Sequence, residues 1–162
     1  MAFDMSIIVV GQKKELGFVN NTKLNISTIS EKSLEEKFVY NVNGIRYWIE
    51  TYDEESVFPL EGVIDTDFDK TMVPNHYSWI TDPEILENIT PIEVSMDYLE
   101  DFKKVISILI GLSPVKMVII LARYQGGDTE IIQGPIPYKK YIEMLEKQKI
   151  PFNVYSIVKG EI

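Results

Sequence analysis

The 162-residue chain has no cysteine, one histidine, two tryptophans and only two arginines. Without a thiol it has no disulfide framework, no thiolate nucleophile and no cysteine-bound zinc. Its longest apolar stretches, around 105–110 and 117–122, fall far short of the roughly 20 residues that cross a bilayer as a helix. The opening Met1-Ala2-Phe3-Asp4-Met5-Ser6 has neither a basic region nor a small-residue cleavage site, so the sequence predicts a cytoplasmic protein with no membrane partner. Dinucleotide and phosphate-loop fingerprints are missing too, and no cofactor is expected.

Bases are the next scarcity, and their distribution is uneven. Residues 47–102 hold fifteen acids and a single base, Lys70, for a net charge of −14, whereas residues 1–46 carry +1 and residues 103–162 carry +4. A carboxylate buried without a partner costs several kcal/mol or is forced to take a proton, so most of these acids must meet solvent. If they share a face, that face repels phosphate backbones and attracts basic proteins. Nucleic acid is therefore disfavoured as a direct partner, and a basic protein is the expected one. The plainer reading is that the acids keep an ordinary surface solvated.

With 45% apolar residues the chain is long enough to bury a core without staples. The pattern predicts one α+β domain over 1–162, a mixed or mainly antiparallel sheet packed by two principal helices, with the acidic segment 47–102 in its middle. Ser6–Val10 and residues 24–29 read as strands, joined by a polar turn over Gly11–Gly17. Asn43-Gly44 between 38–42 and 45–49 is a hairpin signal, because that dipeptide supplies the positive dihedrals of a type I′ turn. Further elements are a capped turn or short helix over Ser30–Lys37, edge strands near 57–60 and 62–64, a long loop over 65–77, and a helix opened by Thr81-Asp82-Pro83-Glu84.

Tyr98, Leu99, Phe102, Val105, Ile106, Leu109 and Ile110 share one helical stripe, begun by Ser95 and stopped by Gly111. Residues 115–123 are apolar on both parities and predict a central strand, with 130–133 as its neighbour across the Gln125-Gly126-Gly127-Asp128 turn. A second helix over 137–148 and a last strand over 152–158 follow.

Several constellations bear on chemistry. Asp65-Thr66-Asp67-Phe68-Asp69 has the alternating acids that open a calcium loop, but Lys70 replaces the turn glycine and His76 stands where a bidentate glutamate belongs, so no metal is expected. Asp65, Asp67 and His76 could instead serve a small metal-assisted hydrolase, provided a fold gathered them. Arg123 with the amides of Gly126 and Gly127 would make an anion site, the alternative being an arginine paired with a local acid beside a plain turn. Aromatic residues crowd 38–79; Trp48 and Trp79 are the candidate contact anchors, and Asp53, Glu54, Glu55, Asp65, Asp67 and Asp69 the candidate steering acids. A regulatory homo-oligomer built on the Asn43-Gly44 hairpin is a third reading.

Ile120-Leu121-Ala122-Arg123-Tyr124-Gln125-Gly126-Gly127-Asp128, followed by Pro151-Phe152-Asn153-Val154-Tyr155, resembles the small bacterial immunity proteins encoded beside secreted polymorphic toxins. The resemblance covers about the last 60 residues and transfers no individual site residue. It implies a noncatalytic cytoplasmic inhibitor that occludes a toxin domain, commonly one attacking nucleic acid.

Overall fold

A computed structural model of the chain describes residues 3–28, 43–51, 60–62, 91–124, 131–147, 150–151 and 154–160. Its centre is a six-stranded sheet formed by β1 (Phe3–Val10), β2 (Leu24–Thr28), β3 (Gly44–Thr51), β6 (Met117–Tyr124), β7 (Ile131–Pro137) and β9 (Val154–Lys159), in the order β2-β3-β1-β6-β9-β7. All neighbours are antiparallel except β7 and β9. A smaller antiparallel sheet joins β4 (Leu60–Gly62), β5 (Pro91–Val94) and β8 (Ile150–Pro151). Two helices, α1 (Met96–Leu112) and α2 (Tyr138–Glu146), pack on the large sheet, which makes the fold α+β.

Alternation along the strands divides the sheet into two faces. Met5, Ile7 and Val9 of β1, Tyr47 and Ile49 of β3, and Val118 and Ile120 of β6 join Leu99, Phe102, Val105, Ile106 and Leu109 of α1 in the main core. Ile8, Ile119, Leu121 and Tyr155 form a second, buried cluster on the opposite face, and no residue of α1 or α2 belongs to it. Residues 117–121 are therefore apolar on both parities because β6 is buried on both sides, as its sequence predicts. The parallel pair β7 and β9 is joined through α2, the crossover that parallel neighbours require. At that edge Pro135 and Pro137 accompany a register break between Gln133 and Ile136, consistent with the confinement of proline to edges and bulges.

Several expectations are corrected. β1 and β2 are not joined by a tight return: both run antiparallel to β3, which lies between them, so they are mutually parallel. Residues 11–23 therefore form an irregular strap from one end of the sheet to the other. The strap starts where Ser113 Oγ donates to the Val10 carbonyl at 2.6 Å. It ends where Lys23 Nζ donates to the Asp97 carbonyl at 2.6 Å, so it connects the two ends of α1. Phe18 meets Tyr47 edge to face at 6.2 Å, and the Tyr47 hydroxyl donates to Gln12 Oε1 at 2.9 Å. Through these contacts the strap packs on the helix-bearing face at β3.

The first arm of the expected Asn43-Gly44 hairpin, residues 38–42, lies outside the described residues; β3 pairs with β1 over 44–48 and with β2 over 47–51. Gly44 does not occupy the positive-φ region, where Gly11 is found at 80°. Its requirement is space: a Cβ at position 44 would lie 2.3 Å from the Val9 carbonyl oxygen. Nor is β7 the neighbour of β6, since β9 separates them, and the two strands are not arms of one hairpin. In α1 the helix passes through Gly111 and ends at Leu112, with Ser113 accepting the role of stop by donating its N–H to Ile110 O. Ser95 stands at the N-cap without a side-chain capping bond. The expected elements at 30–42, 63–90 and 125–130 lie outside the described residues.

Candidate functional site

The face away from the helices places Trp48, the one expected contact anchor that is described. One row crosses all six strands through Ser27, Trp48, Ser6, Leu121, Tyr155 and Ile132. Ser6, Leu121 and Tyr155 are buried, whereas Trp48 keeps part of its surface exposed. Period-two geometry sends Arg46 and Trp48 to the same face, because Tyr47 between them points into the main core.

There the Arg46 guanidinium carbon lies 5.6 Å from the Trp48 ring centroid, within cation–π range. Arg46 Nη2 also donates to Ser6 Oγ at 2.9 Å. Stacking and hydrogen bonding thus hold the guanidinium beside the indole. The result is an amphipathic aromatic platform on a rigid strand, which can bury against a partner without losing much side-chain freedom. Arg46 was absent from the contact residues chosen from sequence. Its i, i+2 spacing from Trp48 on an alternating strand is the signal that could have found it.

Arg123 occupies β6 in register with Asp4 of β1. Gly126 and Gly127 lie outside the described residues, as do Asp53, Glu54, Glu55, Asp65, Asp67, Asp69, His76 and Trp79. Among the described residues, no three histidine, aspartate or glutamate side chains gather as a metal would require. No described helix is long and apolar enough to cross a membrane.

The described acids of 47–102 do not share one face. Glu50 follows Trp48 on the side of β3 opposite α1 and α2, while Glu61 and Glu93 are register partners in the small sheet. Asp97, Glu100 and Asp101 belong to the start of α1. Two of these are met by bases: Lys103 Nζ contacts Glu100 at 2.9 Å, and Lys23 Nζ lies 3.8 Å from Asp101. Lys103 also reaches Glu146 at 3.1 Å, linking α1 to α2; its pKa is raised, chiefly by the bond to Glu100. Part of the acidity read from the sequence therefore contributes to helix packing and local ion pairing.

Comparison with family models, curated proteins and solved structures finds no match to this chain.

Proposed function

We propose that the chain is a noncatalytic protein-binding domain, an immunity-type inhibitor that neutralises a basic toxin domain by covering it. The observation that carries this reading is the Trp48 platform, fixed by Arg46 and Ser6 on the face of β3 opposite α1 and α2. That strand leads in sequence to Asp53-Glu54-Glu55, and the acidic segment continues through Asp65, Asp67 and Asp69. Carboxylates would speed encounter with a basic surface and set its orientation, while burial of the indole would slow release. The two effects are separable by salt.

The test uses the full chain as bait in extracts of its host at low and high salt, beside Trp48→Ala and a variant with Asp65, Asp67 and Asp69 each changed to Lys. The proposal expects one basic protein to be retained by the wild type at low salt, weakened at high salt and lost from the charge-reversed bait. Identical recoveries by all three baits, or recovery of no basic protein, would overturn it.

A further inference from the structure

We propose that Asn43 is a self-modifying site, where the native chain deamidates through a succinimide closed by the Gly44 backbone nitrogen. The proposal concerns the end of the sheet at which the strap begins and stands without the inhibitor reading. Cyclisation needs an asparagine carboxamide free to turn, a following N–H that no acceptor occupies, and little bulk on the following residue. Among the described residues the asparagines are Asn20, Asn21, Asn25 and Asn43, and the structure separates them.

At Asn20 the carboxamide is tied at both ends. Its Nδ2 donates to Leu24 O at 2.8 Å, while Oδ1 accepts from the Thr22 N–H at 3.1 Å and from the Thr22 hydroxyl. The same Thr22 bond occupies the nitrogen that Asn21 would need. Asn25 lies inside β2 ahead of Ile26, whose branched Cβ crowds the attacking nitrogen. Asn43 meets none of these obstacles. It is exposed, no hydrogen bond from the described residues holds its carboxamide, and a glycine without Cβ follows it as the first residue of β3.

The register frees the nucleophile. The Gly11 N–H donates to the Asn43 carbonyl at 2.7 Å, which makes these two residues a hydrogen-bonded pair at the end of the β1–β3 ladder. Val10 and Gly44 are therefore a non-bonded pair, and the Gly44 N–H points away from β1. On that side β2 pairs no further along β3 than Thr28–Tyr47, so the Gly44 nitrogen meets no acceptor among the described residues. The Gly11 bond also activates it. As the 43–44 peptide gives up its proton, charge gathers on the Asn43 carbonyl oxygen, where the Gly11 N–H stabilises it as an oxyanion donor does.

The Gly44 nitrogen attacks Asn43 Cγ. The N–Cγ bond forms, the Cγ–Nδ2 bond breaks, and ammonia leaves with the proton from the Gly44 nitrogen. Water then opens the ring at Cγ to give aspartate, or at the main-chain carbonyl to give isoaspartate; nothing is oxidised or reduced. Isoaspartate lengthens the main chain by one carbon and displaces the carbonyl that Gly11 holds, so the start of the strap loses its bond to β3.

Incubation of the intact chain in mildly alkaline buffer, followed by peptide mass mapping and labelling with isoaspartyl methyltransferase, tests the assignment. Position 43 should gain about 1 Da and become a methyl acceptor. It should convert about tenfold faster or more than Asn20, Asn21 and Asn25 in the native chain. In urea those three should accelerate, whereas Asn43 should stay within about threefold of its native rate, because folding does not protect it. Asn43→Gln, which would have to close a larger ring, should form no isoaspartate there. The purified isoaspartate form should unfold at lower urea than fresh protein. An Asn43 that stays intact in the native chain while the unfolded chain converts it, conversion of Asn20, Asn21 or Asn25 at the same native rate, or an isoaspartate form as stable as fresh protein would overturn the proposal.

Discussion

Replacing Gly44 by alanine should damage the centre of the sheet. A Cβ there would stand 2.3 Å from the Val9 carbonyl oxygen, 3.1 Å from its carbon and 3.2 Å from Ile8 Cγ2. Two of these atoms are backbone, so a side-chain rotation cannot relieve the crowding. β1 and β3 must part by about 0.7 Å to bring the closest contact to 3.0 Å. That shift loads the 2.7 Å bond from the Gly11 N–H to the Asn43 carbonyl and the end of the Val10–Gly44 register. Overpacking costs about 1–3 kcal/mol and a weakened hydrogen bond about 1 kcal/mol, giving an expected loss of roughly 2–4 kcal/mol. For a chain of this size the loss corresponds to a Tm lowered by roughly 4–16 °C.

Urea denaturation followed by circular dichroism measures the change, and Gly17→Ala supplies the control. Position 17 has open space around it and no positive φ, so that variant should stay within about 0.5 kcal/mol of the wild type. A Gly44→Ala protein with an unchanged midpoint and slope would refute the close approach of β1 to β3.

Two further outcomes follow from particular positions. Gly111 lies in α1 with no atom near a built Cβ, so Gly111→Ala should raise stability by about 0.5–1 kcal/mol in the same denaturation assay. Tyr141 is fully buried, and desolvation raises its pKa. Its ionisation in the unfolded chain near pH 10 then draws the equilibrium toward unfolding, so this contribution is intact below pH 10 and is lost as pH climbs above it. Stability measured from pH 9 to pH 11.5 should fall less steeply in Tyr141→Phe than in the wild type; equal slopes would contradict the assigned burial.

The helical stripe of α1 and the doubly buried run of β6 were legible because periodicity reports how many sides of an element are covered. It does not report which strand provides the cover. Nothing in residues 3–10 or 24–28 announces that β3, distant in sequence, separates them, and an irregular strap leaves no period at all. Gly44 shows the same limit in one residue. Its dipeptide suggested a dihedral requirement, whereas the close approach of Val9 creates the requirement only after the sheet assembles. At the candidate site, tryptophan chemistry singled out Trp48, but the role of Arg46 emerged only when alternation was applied to the folded strand. Linear crowding of acids was a poorer guide, since α1, β3 and β5 carry the described ones to different layers.

The inhibitor reading is tested most directly by titrating the captured basic protein against three forms of this chain over a range of salt. Trp48→Ala should lose about 2 kcal/mol or more of binding free energy while keeping the salt slope, as expected for a contact anchor. Reversal of Asp65, Asp67 and Asp69 should flatten the slope and lower the association rate. Affinity and salt dependence that are the same for all three forms would contradict both the platform and the steering acids.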